Sequence, residues 1–224
     1  MTDAPKESFD IDVVLERIGE AVEPYPKAAL FELAEDGFRT PFQQLVACII
    51  SIRTRDETMY PLARAFFEQA STPQDVSNLT PTKIDEMIGG SAFHERKAEQ
   101  IHDIARAIVE NHEGQLPCDR EVLLSFHGVG PKCANLVMSI ACDEPHIAVD
   151  VHVHRVTNRW GYVSTDYPEQ TMRALRRQLP REHWVDINRL LVPFGKHICV
   201  GRRPRCSACP VLDVCRQVGV DQPG

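Results

Sequence analysis

Four cysteines in one short loop constrain this chain more than any other feature of its sequence. The segment CVGRRPRCSACPVLDVC places Cys199, Cys206, Cys209 and Cys215 in the pattern C-x6-C-x2-C-x5-C. Four thiolates this close can surround one metal centre, because the middle C-x2-C makes a tight turn and the outer cysteines fold back around it. Zinc sites usually use two close cysteine pairs, whereas only one pair is close here. The wider spacing on both sides favours an iron–sulfur cluster of the 4Fe-4S type over zinc.

The remaining four cysteines have no partner at metal-ligand spacing. The N-terminal segment MTDAPKESFD is polar and acidic and does not resemble a secretion signal. No apolar run approaches the roughly 18 residues that a membrane helix needs, so we expect a cytoplasmic protein. A reducing cytosol disfavours structural disulfides. We therefore interpret as unpaired core side chains the cysteines Cys48, Cys118, Cys133 and Cys142.

Helix-start signals recur along the chain and predict an all-α fold. Thr40-Pro41, Thr72-Pro73 and Thr80-Pro81 each place a capping side chain before a proline at the first helical position. No convincing pair of alternating strands interrupts them. With 224 residues, the chain is long enough for two lobes. Helices are predicted at 11–22, 57–68, 81–88, 97–113, 120–126, 131–141, 151–160, 168–179 and 183–195.

The net charge at first argues against a nucleic-acid partner, because the chain carries a formal charge of −7 at pH 7. The excess of acidic residues lies in residues 1–36, which hold ten Asp or Glu and three Lys or Arg, so the remaining residues balance to zero. Within that neutral part, residues 189–212 carry five Lys or Arg and no carboxylate. A global charge can therefore hide a local basic face suited to nucleic acid.

A glycine hairpin precedes an apolar helix in FHGVGPKCANLV, residues 126–137. Gly128, Val129 and Gly130 join two predicted helices; glycines let the backbone approach an anion, and the amides of a helix start bind phosphate. A helix–helix loop without a ligand explains the glycines equally well. Lys132 favours a functional site, because a cation gains nothing from the positive end of a helix and a neutral amine can form a Schiff base. The alternative is a lysine that simply faces solvent.

Asp150 follows the apolar residues Ile147, Ala148 and Val149 and opens the helix predicted at 151–160. Helix capping is the ordinary role of an aspartate in this position. A capping carboxylate that also borders a pocket can stabilise positive charge that develops on a sugar, as carboxylates do in glycoside hydrolysis. Asp150 is therefore a second candidate for catalysis.

The GVGPK hairpin, the AVD segment and the cysteine pattern together resemble the endonuclease III family of helix-hairpin-helix DNA glycosylases, which carry a 4Fe-4S cluster. The resemblance extends from Thr40 to Cys215 in the family's order and spacing. It implies a six-helix lobe at 40–143 that holds the hairpin, and a cluster lobe formed by 11–39 and 144–217. Residues 1–10 and 218–224 are expected to be flexible tails.

The resemblance implies a role for each matching residue. Lys132 matches the lysine that attacks C1′ of the damaged nucleotide, expels the base and forms the Schiff base from which β-elimination cuts the strand. Asp150 matches the aspartate that helps activate this lysine and stabilises charge at the sugar. The four loop cysteines match the cluster ligands. The matching DNA-binding residues are the hairpin residues Gly128, Val129 and Gly130 and the loop arginines Arg202, Arg203 and Arg205.

Two segments depart from the family pattern at the residues that fill the gap left by a flipped base. Arg53 stands where the family usually has glutamine, and Phe93, followed by His94, stands where it usually has a leucine wedge. Arginine can hydrogen-bond the orphan base but brings charge, and phenylalanine stacks on bases better than leucine. The resemblance implies duplex DNA with a damaged base or an abasic site as partner, and oxidised pyrimidines as substrates. We expect a monomer with no membrane partner.

The sequence leaves other interpretations open. One is a mismatch or monofunctional base glycosylase, although such enzymes generally lack a lysine at the position of Lys132 and carry an added recognition domain. Another is a weakly active, cluster-containing relative that binds DNA without catalysis. A third is a zinc protein of similar shape, which would be colourless where an iron–sulfur protein is brown.

Overall fold

The computed structural model describes residues 8–224, and within this span the chain forms helices and turns without a β-strand. The predicted all-α fold is therefore confirmed. The first seven residues of the predicted N-terminal tail lie outside the described residues. In chain order the helices are α1 (Ile11–Val22), α2 (Ala29–Glu35), α3 (Pro41–Ser51), α4 (Asp56–Gln69), α5 (Pro73–Ser77), α6 (Pro81–Ile88), α7 (His94–Asn111), α8 (Arg120–Ser125), α9 (Pro131–Ala141), α10 (Val151–Trp160), α11 (Pro168–Gln178) and α12 (Asp186–His197), with short 3-10 helices at Arg181–His183 and Cys206–Ala208.

The helix starts predicted from threonine followed by proline are confirmed. The hydroxyl oxygens of Thr40, Thr72 and Thr80 accept hydrogen bonds from the backbone N–H three residues later, and a proline occupies the first turn of α3, α5 and α6. Proline costs nothing there, because the first N–H groups of a helix have no acceptor within it. The starts of these three helices are therefore determined by the threonine and the proline at each start.

Within residues 8–224 the chain divides into two compact units, which we call the central unit (residues 29–146) and the terminal unit (residues 8–28 and 147–224). The resemblance assigned 11–39 to the cluster lobe, whereas the structure places 29–39 in the central unit. The physical reason is α2, which buries Leu30, Phe31 and Leu33 and packs against α3, α4 and α9. The central unit accordingly contains eight α-helices, α2 to α9, rather than six.

The core of the central unit is built on α3 and α9, the helix that carries Lys132. The residues Phe42–Ile50 of α3 and Cys133–Ile140 of α9 are buried, and the two helices pack against each other. A helix that buries all its sides belongs to a core rather than a surface. The first turn of α9, which carries Lys132, is therefore held in place by a helix packed in the core.

Two disulfides fasten α9 at both ends. Cys48 of α3 pairs with Cys133 in the first turn of α9, and Cys118 pairs with Cys142 at the end of α9, with Cα–Cα distances of 6.0 and 5.6 Å. The interpretation of these four residues as unpaired core cysteines is wrong, because the fold brings together cysteines 85 and 24 positions apart. Cys48 and Cys133 are buried, whereas Cys118 is exposed.

In the terminal unit, α1 and α10 both pack against α12, and Trp160 lies fully buried in the core. The residues predicted as a flexible C-terminal tail are hydrogen-bonded to this unit. The N–H of Val218 donates to the carbonyl of Arg159 at 3.0 Å, and the N–H of Gly224 donates to that of Pro204 at 2.8 Å. Across residues 8–224, no helix combines the length and the apolar character that crossing a bilayer requires.

Candidate functional site

The four cysteines of the C-terminal loop meet in one cavity of the terminal unit. All four line this cavity, which also has Trp160 and Phe194 in its walls. Burial first, and then the neighbouring cysteines, raise the pKa of the Cys209 thiol to about 12. In the described part of the chain, no group of three or more His, Cys, Asp and Glu side chains is arranged so that it could hold a metal ion. Four thiols converging on one cavity are a donor set that fits a multi-atom iron–sulfur cluster.

Two arginines of α10 hold the backbone of this cysteine loop. Arg159, only 8% exposed, donates to the sulfur of Cys199 at 3.4 Å and to the carbonyl oxygens of Val200 and Gly201 at 2.7 Å each. Arg155 donates to the carbonyl oxygen of Cys199 at 3.2 Å. A buried guanidinium is costly without acceptors, and the sulfur and carbonyl oxygens of this loop supply them. The arginines thus fix the loop and place positive charge beside the sulfur of Cys199.

The predicted glycine hairpin joins α8 to α9 in the central unit. Gly128 has a left-handed φ of 77°, which favours glycine, and a Cβ added to it would lie 2.8 Å from Nε2 of Gln100, so the end of that side chain would have to move. The same Nε2 donates to the carbonyl of His127 at 2.7 Å and holds the turn. Gly130 gives α9 no side-chain cap. The start of α9 therefore offers backbone amides without a side-chain acceptor, which suits an anion.

The two predicted catalytic residues both lie at helix starts, one in each unit. Lys132 is the second residue of α9 and is exposed directly after the hairpin. Asp150 is the N-cap of α10, and its Oδ1 accepts hydrogen bonds from the N–H groups of His152 and Val153 at 2.9 Å each. The predicted capping role of Asp150 is confirmed.

Arg53 and Phe93, which are distant in sequence, meet on the surface of the central unit. The guanidinium carbon of Arg53 lies 5.7 Å from the centroid of the Phe93 ring, a cation–π distance. Both residues have a left-handed backbone conformation, with φ of 54° for Arg53 and 58° for Phe93. Phe93 is 53% exposed. His94 follows at the start of α7, with its Nδ1 2.6 Å from Oδ1 of Asp85. An exposed ring beside an arginine can stack on a nucleobase.

Sequence reasoning overlooks Lys97, a lysine of α7 that is only 4% exposed. Its Nζ donates to the carbonyl oxygens of Ile50 and Ile52 at 2.8 Å each and to Oγ1 of Thr54 at 3.2 Å. Burial lowers the pKa of this amine to about 8. A signal was available in the sequence, because Lys97 lies four positions before the buried Ile101 and so falls on the apolar face of α7.

The structure brings some of the predicted site residues together and leaves others in separate groups. In the central unit, Lys132 follows the hairpin, and Arg53, Phe93 and His94 form a second group. In the terminal unit, Asp150 caps α10, and exposed arginines flank the cysteines of the loop. Those arginines are the three predicted ones, Arg202, Arg203 and Arg205.

Comparison with known proteins identifies the family. The sequence matches the HhH-GPD superfamily of base excision DNA repair proteins over residues 46–181. It is 39% identical over 175 residues to endonuclease III of Thermotoga maritima, covering 78% of this chain and 82% of that protein. With endonuclease III of Bacillus subtilis it shares 32% identity over 208 residues, covering 92% of each. A solved structure of a trapped endonuclease III–DNA covalent intermediate superposes with a TM-score of 0.80 at 29% identity, over 92% of this chain and 94% of that one. The chain therefore belongs to the endonuclease III family, the DNA glycosylases and AP lyases of base excision repair.

Proposed function

We propose that this protein is a bifunctional DNA glycosylase and AP lyase that excises oxidised pyrimidines from duplex DNA and cuts the strand by β-elimination. The observation that carries the proposal is Lys132, an exposed amine in the first turn of α9, directly after a glycine hairpin, in a chain of the endonuclease III family. Backbone amides at a helix start can hold a phosphate, and a primary amine beside them can reach the sugar of a bound strand.

In the proposed reaction the neutral amine of Lys132 attacks C1′ of the damaged nucleotide, and the bond from C1′ to the base breaks with its electron pair leaving on the base. The sugar ring opens and a Schiff base forms between C1′ and the lysine nitrogen. Loss of a proton from C2′ then expels the 3′ phosphate, which cuts the strand, and water releases the lysine. The carboxylate of Asp150 promotes deprotonation of the lysine and stabilises positive charge on the sugar.

DNA binding in this proposal uses the hairpin, the pair Arg53 and Phe93, and the arginines of the cysteine loop. A base inside a duplex is out of reach, so it must be flipped out and its place in the stack must be filled. We assign the filling of that gap to Arg53 and Phe93, because an exposed cation and ring can contact the orphan base and its neighbours. The amides of Gly128 to Gly130 hold a phosphate, and the loop arginines bind the DNA backbone.

We propose further that the four loop cysteines hold a 4Fe-4S cluster. Their convergence on one cavity and the guanidinium of Arg159 beside Cys199 support an anionic thiolate cluster there. When bound, the cluster supplies a structural cross-link of the loop that carries the arginines. We expect purified protein to be brown and to contain about four iron and four sulfide per chain. A colourless protein with zinc and no iron would contradict this assignment.

Borohydride trapping tests the activity. The protein is mixed with duplexes that carry thymine glycol, dihydrouracil, an abasic site or undamaged thymine, and the Schiff base is reduced to a stable adduct. Adducts with both damaged pyrimidines and none with thymine support the proposal. An adduct with the abasic site alone would indicate a lyase of other base specificity, and base release without an adduct would indicate a monofunctional glycosylase. Neither release nor adduct would indicate a relative that only binds DNA.

Salt dependence provides a prediction for the loop arginines. We expect replacement of Arg202, Arg203 and Arg205 by serine to lower the slope of log affinity against log salt concentration by about 2 to 3, because each phosphate contact releases about one counterion. Fluorescence anisotropy across a salt series measures the slope. Serine at Arg64 and Arg106, which already pair with glutamates, is the matched control and should leave the slope unchanged. An equal slope in the loop variant would remove these arginines from the interface.

The pH dependence of DNA affinity provides a prediction for His94. A hydrogen bond with Asp85 raises the pKa of His94 above its usual 6.5, so the positive charge persists to higher pH beside Phe93. We expect affinity to fall up to about fivefold as pH rises through this raised pKa, which is the effect of losing one cation near phosphate. The variant Asp85→Asn should move the fall to lower pH, and His94→Gln should abolish it. Identical pH profiles in all three proteins would contradict the prediction.

A further inference from the structure

Lys97 makes contacts that its own helix does not require. It is the fourth residue of α7, yet its ammonium reaches the C-terminal end of α3, where it satisfies the carbonyls of Ile50 and Ile52. Burying an ammonium is costly unless it is hydrogen-bonded, and these carbonyls supply two of its acceptors. The lysine thus joins the start of α7 to the end of α3.

The third partner of Lys97 connects two loops. Oγ1 of Thr54 lies 3.2 Å from the Lys97 nitrogen and also accepts a hydrogen bond from the N–H of Ala92 at 3.1 Å. Thr54 belongs to the segment after α3, and Ala92 to the segment before α7. The lysine and the threonine thus tie these two segments to each other.

Each of the two tied segments carries one exposed residue in a backbone conformation that non-glycine residues rarely adopt. Arg53 lies between the lysine contact at Ile52 and Thr54, and Phe93 directly follows Ala92. Their left-handed backbones cost energy and persist only where the surroundings hold them. The result is the contact of the guanidinium with the ring at 5.7 Å.

We propose that Lys97 and Thr54 are positioning residues that hold Arg53 and Phe93 together as one preformed cation–aromatic wedge, which enters the gap opposite a flipped nucleotide as a unit. This inference rests on the proposed function, in which both residues fill the gap. If Arg53 and Phe93 are already held in place before binding, less conformational entropy is lost when they enter the DNA. Preorganisation of this kind favours insertion. Lys97 itself lies beneath the wedge and contacts no DNA.

Insertion is measured without chemistry by fluorescence of 2-aminopurine placed opposite a tetrahydrofuran abasic analogue. We expect the unstacking signal at saturating protein to fall roughly fivefold in Lys97→Met and in Thr54→Val, since each loses hydrogen bonds that fix the wedge. Thr54→Ser keeps the hydroxyl and should retain the wild-type signal. The matched control is Lys83→Met, which removes an exposed lysine that pairs with Glu86 in the same unit. Thermal melting of every variant establishes that the fold persists.

A double-mutant cycle separates positioning from general stability. In a Phe93→Ala background, Lys97→Met should change the signal by less than about twofold, because the group that the lysine positions is already absent. A fivefold loss that is equal in both backgrounds would overturn the proposal, as would a wild-type signal in folded Lys97→Met or in folded Thr54→Val. If Lys97→Met does not fold, the signals of Thr54→Val and Thr54→Ser are compared instead. A wild-type signal in folded Thr54→Val would then overturn the proposal.

The proposed function has a separate readout. Borohydride trapping on a single-stranded abasic oligonucleotide needs Lys132 but no wedge, so Lys97→Met should trap there at the wild-type level. If the wild-type protein fails to trap any abasic substrate, the proposed lyase fails, while the 2-aminopurine signal still decides whether the wedge exists. The two proposals can therefore fail independently.

Discussion

We expect Lys132→Ala to lose strand cleavage and covalent trapping by at least about a thousandfold, because removal of a nucleophile removes the covalent path itself. DNA affinity should change by less than about fivefold, since one exposed cation among many phosphate contacts is lost. The residue is the second of α9 and exposed, so the substitution creates no cavity in the core. Gel assays of nicking and trapping on an abasic duplex, together with anisotropy for binding, measure both quantities.

A matched control for this experiment is Lys83→Ala, which removes an exposed lysine of α6 and should leave cleavage unchanged. Equal nicking by the Lys132 variant would remove this lysine from the mechanism. On a duplex that carries thymine glycol, release of the base at the wild-type rate without nicking would assign Lys132 to the lyase step alone and the glycosylase step to water. The experiment therefore distinguishes the bifunctional reaction from the monofunctional one.

Removal of the two disulfides should have the largest effect on stability. A cross-link restricts the unfolded chain, more so for a longer loop. Sequence separations of 85 and 24 residues correspond in the chain-entropy treatment to about 4–5 and about 3–4 kcal/mol. We expect the pair Cys48→Ala with Cys133→Ala, and the pair Cys118→Ser with Cys142→Ser, to lower the free energy of unfolding by these amounts. Urea denaturation at equal protein concentration measures both.

Accessibility supplies an internal check on the two disulfides. The bond at exposed Cys118 should be reduced before the bond between buried Cys48 and Cys133, because thiol exchange requires access to the sulfur. Thiol titration after graded reduction, with peptide mapping, follows the order. Unchanged urea midpoints in both variant pairs would show that the cross-links do not stabilise the fold.

Most helices could be predicted because their signals lie within the helices themselves. The helices predicted at 11–22, 81–88, 131–141 and 151–160 have these bounds in the structure. In each of these helices, a capping residue or a proline marks the start, and apolar residues at helical spacing follow within the same short segment. By contrast α2 follows two prolines and contains only seven residues, which is too short for a period to stand out. The helix predicted from His183 begins instead at Asp186, after a short 3-10 turn.

The remaining features depend on contacts between distant segments. Cysteine spacing cannot predict that Cys48 reaches Cys133, because the pairing follows from the packing of α3 against α9. The left-handed conformations of Arg53 and Phe93 cannot be predicted from the preferences of the residues themselves, because neither residue favours them. They accompany the hydrogen bonds of Lys97, which join segments more than forty positions apart. The cysteine loop, the hairpin and Asp150, in contrast, were recognisable as short motifs.

The hydrogen bonds of Asp150 determine how its variants must be interpreted. Both amides at the start of α10 use the same carboxylate oxygen, Oδ1. Asp150→Ala would remove this acceptor together with the negative charge, and a lost cap alone costs about 1 kcal/mol of stability. Asp150→Asn leaves an oxygen of the same shape for the two amides while the charge disappears. A loss of activity in Asp150→Ala therefore combines the effect of the lost helix cap with the effect of the lost charge. A loss of activity in Asp150→Asn reports the effect of the lost charge alone.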